Sequence, residues 1–268
     1  MAEISELRKR LIGKAKTNVK SAYSEGGIHI TRAVSVLRDL DEVFNLLFEN
    51  SKEWYSVFFP EMEKIVKDPV TYLSLVYNLG DREKFTKENI AKYCETEKTT
   101  NSLENNAKDS MGAGDEIALK EIQLLALNAL NIKEERKFIE KYLEKEMIKI
   151  APNFSEVCGA VLGAKMLAST GSVRKLAAIS SSTMQVLGAE KALFRHLRDK
   201  SVKGPKYGFL YQHALVRTLP ARHKGKMARS IAGKLTIAVR ADYFGNKNEI
   251  GKELNVKLER RYSELKKK

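Results

Sequence analysis

Between Ile30 and Phe58 apolar residues recur at alternating spacings of three and four: Ile30, Ala33, Leu37, Leu40, Phe44 and Leu47, a polar interruption at Ser51, then Trp54 and Phe58. That pattern is a heptad seam, which a helix can bury only against another helix. A second seam runs through Ala118, Ile122, Leu125, Ala129, Ile132, Ile139, Leu143 and Ile150, broken by Arg136 and Glu146. Its outward positions, as in "KEERKFIEKYLEKE", mix both signs of charge as a solvated helix face does. The two seams predict an antiparallel coiled-coil hairpin whose intervening segment forms a tip. Such a hairpin cannot bury both its sides alone, so dimerisation through the hairpin or its tip is expected, with Leu37, Leu40, Phe44, Leu47, Ile122 and Leu125 as its residues.

The segment between the seams holds an apolar stretch, "VTYLSLVYNLG". The polar "TEKTTNSLENNAKDSMGAGDE" follows; it reads as a loop ending in a helix start at Asp115. After "APN" (151–153) small residues take over. "CGAVLGAKMLASTGSVRKLAAI" places Gly and Ala where helices pack closely, and no run alternates long enough to build a sheet. The fold class expected is therefore all-α. A short helical segment (1–27) leads into the hairpin (28–150), followed by a compact helical domain (151–245) and a charged tail (246–268).

Charge separates these parts. Residues 151–268 carry 24 Lys and Arg against 8 Asp and Glu, whereas residues 1–150 carry 24 against 26. An excess of +16 confined to one half points to a polyanionic partner for that half. A membrane surface fits less well, because the charge sits among core-forming segments and not on one terminal amphipathic helix. No apolar run approaches the ~18 residues that cross a bilayer, and the charged start "MAEISELRKRLIGKAK" has no signal-peptide core. Cys94 and Cys158 stand far apart, as reduced thiols of a cytoplasmic protein would.

The sequence contains no GxxxxGK[ST] loop and no strand–GxGxxG–helix unit for a nucleotide or methyl-donor cofactor. His196, His213 and His223 are not at metal-ligand spacing, and "ISSSTM" (179–184) reads as a helix cap rather than a nucleophile. An enzyme is not expected. What the basic half does offer is anion chemistry. Lys191, Arg195 and Arg198 fall on one helical stripe, and Lys200, Lys203 and Lys206 surround a Gly-Pro turn. Arg222, Lys224, Lys226 and Arg229 open a further helix, where free amides and the dipole favour an anion. Tyr207, Phe209, Tyr211 and His213 lie close by as rings on which unpaired bases could stack.

"VLGAEKALFRHL", "GPKYGFLYQHALVRTLP" and "KMARSIAGKLTIAVRADYFG" strongly resemble the Nop domain of the archaeal core protein of box C/D guide ribonucleoproteins. "LRDLDEVFNLLFENSKEWYSVFFPEM" looks like the same family's coiled-coil entry. The resemblance implies a homodimeric, non-catalytic scaffold that binds guide RNA together with a small kink-turn-binding protein of ribosomal type. It also implies that the scaffold carries fibrillarin, on which S-adenosylmethionine would sit for 2′-O-ribose methylation; this chain itself would need no cofactor. It places RNA at Lys191, Arg195, Arg198, Lys203, Lys206, Gln212, His213, Arg222, Lys224, Lys226 and Arg229, and the kink-turn protein at Glu190, Leu193 and Phe194. Two departures are visible. The family docks fibrillarin on an N-terminal α/β domain. Here the segment "ISELRKRLIGKAKTNVKSAY", with Ile4, Leu7, Leu11 and Val19 as a stripe, would serve as a reduced site, pack on the chain's own coil, or leave docking lost. A eukaryotic relative in the same family, a splicing factor of the U4 particle, has a histidine where Gln212 stands, which changes ring stacking there to amide hydrogen bonding. The competing reading is a general basic helical nucleic-acid-binding protein with no methyltransferase partner.

Overall fold

The first seam becomes a single long helix. In the computed structural model residues 2–24, 27–113, 118–245 and 249–267 are described, and among them every regular element is helical. The chain begins with α1 (Ala2–Ser24) and α2 (Gly27–Ser56), followed by the short α3 (Glu61–Ile65), α4 (Pro69–Asn78), α5 (Lys87–Ile90) and α6 (Glu97–Lys108), and then the long α7 (Leu119–Ile150). Residues 36–139 form one compact unit; residues 1–35 and 140–268 form another. The boundaries between these two units fall within α2 and α7. The physical reason is local: Gly27 lies against the Gly171–Ser172 turn, and Met147 reaches the backbone at Gly163. The lower turns of both helices thus belong to the core of the second unit.

In the 36–139 unit α2 and α7 run antiparallel. Arg136 donates to both carboxylate oxygens of Asp41, and the Lys133 ammonium sits 4.8 Å from the Phe44 ring centre, so partner numbers fall as position numbers rise. Arg136, an interruption in the apolar pattern, is here a cross-seam ion pair. Phe44, Ile122, Ala126 and Ala129 meet in a core completed by Tyr55, Phe59, Tyr72 and Leu75. The polar break at Ser51 is also fully buried, its hydroxyl donating to the Leu47 carbonyl at 2.7 Å. Trp54, expected in the seam, is instead 45% exposed, and Tyr55 takes the inner place. A straight helix drifts by about 20° per heptad from a perfect seven-residue repeat, and an eleven-residue step from Phe44 turns Tyr55 inward.

The tip segment holds more helix than its polarity implies. Asp68 caps α4 by accepting from the Thr71 amide at 2.8 Å, with Pro69 at the first helical position, where its missing N–H costs nothing. α6 forms inside the stretch expected to be a loop, because Thr100, Leu103 and Ala107 recur at helical spacing and are buried. After α6, residues 109–113 are irregular. There Ser110 and the Met111 amide both donate to Glu61, and the Ala113 amide donates to the Val57 carbonyl. Those bonds hold the Glu61 carboxyl below its ordinary range against the opposing effect of burial. Asp115 lies outside the described residues.

The basic unit continues with α8 (Pro152–Cys158), α9 (Ala160–Thr170), α10 (Val173–Ala178), α11 (Ser181–Val186), α12 (Glu190–Arg198), α13 (Ala214–Arg217), α14 (Ala221–Phe244) and α15 (Ile250–Lys266). α14 is its axis and packs against α8, α10, α11 and α15. The inner face of α14 mixes small and large residues: Ala228, Ala232, Ala238 and Ala241 alternate with Met227, Ile231, Leu235 and Val239. Asn153 joins three helices. Its side chain donates to Asp242 on α14 at 2.8 Å and accepts from the Gly251 amide on α15 at 2.9 Å. Asp242 in turn accepts from the first amides of α8. Within the sequence expected as a charged tail, Ile250–Lys266 form a folded helix seated by Leu254, Leu258 and Leu265. No described helix is long and apolar enough to cross a membrane.

Candidate nucleic-acid interface

α12 stands out because none of its nine residues is buried. Lys191, Arg195 and Arg198 are exposed along one stripe, as the i, i+4, i+7 spacing predicts. Phe194 and Leu197, 60% and 53% exposed, flank that stripe, whereas Leu193 turns partly inward. Glu190 is exposed at the helix start, where one of its oxygens accepts from the Gly188 amide at 2.7 Å. A short helix with cations beside uncovered apolar side chains is suited to a partner carrying both phosphate and apolar surface.

Two segments fix α12 in place. The Gly208 amide donates to the Gln185 carbonyl, the Phe209 amide to Leu187, and the Gln185 side chain to the Lys206 carbonyl at 2.6 Å. Gly188 is required where these segments meet: its φ is +87°, and a Cβ there would lie 2.7 Å from the Phe209 ring. The lysine loop 199–206 is tied down as well. Asp199 accepts from the Ser201 amide and hydroxyl, which keeps its carboxyl ionised to lower pH than usual. The His196 Nδ1–H donates to the Val202 carbonyl. Lys203 and Lys206 are thus presented from a fixed turn.

The 3-10 turn Phe209–Gln212 carries the aromatic part of the site. Tyr207 and Tyr211 stack with ring centres 5.3 Å apart at 18°, and Lys224 of α14 lies 4.6 Å over Tyr211. Gln212 is exposed, with its carbonyl accepting from Lys165 at 3.0 Å. Lys165 went unnoticed in the sequence because it lies far from the basic run; only the packing of α9 on this turn brings it there. Arg222, Lys226 and Arg229 are exposed on the first turns of α14.

His213 is engaged within the fold. Its Nδ1 accepts from the Leu215 amide, capping α13, and its Nε2–H donates to the Val157 carbonyl at 3.0 Å. Both ring nitrogens are spent inside the fold, and burial lowers the ring's pKa below the ordinary histidine value. Ser180 is likewise structural, capping α11 through the Thr183 amide as expected. Arg240, farther along α14, donates to the Ala177 and Ile179 carbonyls and closes the end of α10.

The residues expected to pair two copies are in part engaged within their own chain. Leu37, Phe44 and Ile122 are buried in their own protomer, and Leu40, Leu47 and Leu125 are half-buried. The uncovered large apolar positions of α2 are Val36, Val43, Leu46 and Trp54, with Val57 just beyond its end. On α1, Ile4, Leu7 and Leu11 are exposed, while the side chain of Val19 lies outside the described residues.

A family model described as "Nop: snoRNA binding domain, fibrillarin" matches residues 36–264. The chain belongs to the Nop family. It is 40% identical to an uncharacterized NOP5 family protein of Methanocaldococcus jannaschii over 94% of this chain and 60% of that one. Nucleolar protein 58 of Rattus norvegicus is 37% identical over 87% of this chain and 44% of its own. The chain thus spans about half the length of the curated relatives it matches. Among solved structures, a crystal structure of a fibrillarin/Nop5p complex aligns with 97% of this chain and 77% of that one, at 26% identity and a TM-score of 0.49.

Proposed function

We propose that this chain is the non-catalytic bridge of a box C/D guide ribonucleoprotein that directs 2′-O-ribose methylation. The observation that carries the reading is the exposed cationic face of α12, joined to the fixed lysine loop and the start of α14 within a match to an snoRNA-binding family model. Guide RNA is held by Lys191, Arg195, Arg198, Lys203, Lys206, Gln212, Arg222, Lys224, Lys226 and Arg229; His213 supports this face from within. A kink-turn-binding protein docks beside the RNA on Glu190, Leu193 and Phe194, where uncovered apolar side chains adjoin the cations. Each partial surface is small, so RNA and protein are recognised together.

Fibrillarin supplies the active site and binds S-adenosylmethionine. The bridge contributes orientation and effective concentration, holding the methyltransferase near one nucleotide of the guide–target duplex. A second copy of the chain pairs through the exposed apolar positions of the 36–139 unit, which doubles the particle. Two free cysteines, with Cys158 buried and its thiol pushed up by burial, fit work in a reducing cytoplasm. The test is a mobility shift on box C/D RNA with and without the kink-turn protein, at about 0.2 M salt, where bare phosphate attraction is much reduced. Binding only when the kink-turn protein is present is expected. Equal binding in both lanes would reduce the chain to a general basic binder.

A further inference from the structure

The basic stripe of α14 does not end with its first turns. Arg229, Gly233 and Ile237 follow one another at i, i+4 and i+8, and this face meets α15 along an open groove of about 440 Å³. Arg229 and Lys234 line it from α14, and Lys257 and Arg261 from α15. Two carboxylates stand near: Glu253 binds Lys257, and Glu264 binds Arg261 at 2.6 Å. Arg229 and Lys234 have no ion-pair partner among the described residues, so the groove keeps a positive excess. The Glu253 carboxyl is held below its ordinary range, chiefly by Lys257, and the charge of Lys234 reaches it from the facing helix.

Shape agrees with charge. A Cβ at Gly233 would meet nothing within 4 Å, so the middle of the groove is open floor. Ile237 is 49% exposed beside it, over the buried Leu258. Cations around an open floor with one apolar wall match a sugar–phosphate backbone, which offers anionic oxygens and ribose carbon in alternation. Continuity selects RNA over an acidic protein. The same helix begins with Arg222, Lys224 and Lys226, and Lys234 lies ten residues beyond Lys224, about 15 Å along the axis. A backbone tracking the start of α14 reaches the groove within a few nucleotides.

We infer that the α14–α15 groove is a second backbone-binding site for RNA, holding phosphate with Arg229, Lys234, Lys257 and Arg261. The inference rests on the reading of the chain as an RNA-binding scaffold and extends its surface to the C-terminal helix.

The experiment uses the full chain with box C/D RNA and the kink-turn protein, and reads affinity by fluorescence anisotropy across a salt series. Lys234→Gln/Lys257→Gln should weaken binding about tenfold and lower the slope of log affinity against log salt by about 1 to 2. Gly233→Glu, which fills the open floor and plants a carboxylate on it, should weaken binding by at least as much. Unchanged affinity and slope in the double variant would overturn the proposal. So would an equal loss in Lys252→Gln/Lys266→Gln, two α15 cations outside the groove, because net charge would then explain it. If the double variant instead loses fibrillarin or the kink-turn protein in RNA-free pull-downs while its RNA slope holds, the groove is a protein site and the proposal fails. Wild-type binding that needs no kink-turn protein would sink the scaffold reading yet leave the groove to be decided by the same variants.

Discussion

The two units of this molecule are built on opposite principles. Residues 36–139 carry 14 Lys and Arg against 20 Asp and Glu, a balance of −6; the rest of the chain carries 34 against 14, a balance of +20. The acidic unit is held by large apolar side chains, with edge-to-face pairs between Phe48 and Tyr72, Tyr55 and Tyr72, and Phe59 and Phe85. In the basic unit, small residues pack closely around α14 and polar ties between distant segments set the geometry: Asn153 to Asp242 and Gly251, Gln185 to Lys206, Arg240 to α10, and His213 to Val157. Dense like charge repels itself and offers little apolar surface to bury. A surface of that kind keeps its shape only if backbone groups nearby are fixed by specific hydrogen bonds. The acidic unit can rely on burial because its surface is not asked to hold one sign of charge.

That contrast can be broken from either side. Truncating Phe44→Ala in the acidic core should cost about 3–5 kcal/mol, read as a loss of stability in urea unfolding, with RNA affinity of the folded fraction retained. Replacing Lys191 and Arg195 by Ala should do the reverse: assembly with RNA and the kink-turn protein falls at least about 100-fold, or roughly 2.7 kcal/mol, while helicity and thermal midpoint hold. Retained assembly would remove α12 from the RNA site. Asn153→Ala removes bonds to a charged partner and leaves Asp242 and the Gly251 amide under-satisfied. A loss of about 2 kcal/mol in stability is expected, and wild-type stability would show that small-residue packing alone holds the basic unit. Leu46→Asp, at an exposed site of the acidic unit, should leave the fold intact and weaken self-association by about tenfold or more, since a charge is placed in an apolar contact; light scattering against concentration checks this.

The smallest effect concerns pH. Burial lowers the His213 pKa in the folded chain, so the folded state binds fewer protons than the unfolded one near and below the ordinary value of 6.5. Its contribution is complete above that value and is lost as pH falls through the folded pKa. His213→Asn keeps a helix-capping side chain but cannot titrate. The mutant should show a flatter decline of thermal midpoint between about pH 7 and pH 5. Identical slopes in mutant and wild type would show that the ring is not held neutral by the fold.

Much of this was legible along the chain. Spacing alone identified both seams, since a repeat of three and four has one periodic solution, and the one-sided run of cations identified the polyanion face, since charge is a property of composition. The Ser180 cap could be read the same way, because its bond is made within three residues. Reading failed where the deciding partner was distant. Nothing local distinguishes Trp54 from Tyr55; helix drift against α7 does. His213 looks like any ring in a basic loop until Val157, fifty-six positions away, accepts from it.

The final division follows from range. The sequence by itself determined helicity, the antiparallel pair and the sign of the surface, because these depend on periodicity, propensity and charge carried by the residues themselves. Only the tertiary structure decided which cations share a face. Lys165 meets Gln212, and Lys257 and Arg261 line one groove with Lys234, through packing on a common apolar core. Such packing brings together side chains that no local rule relates.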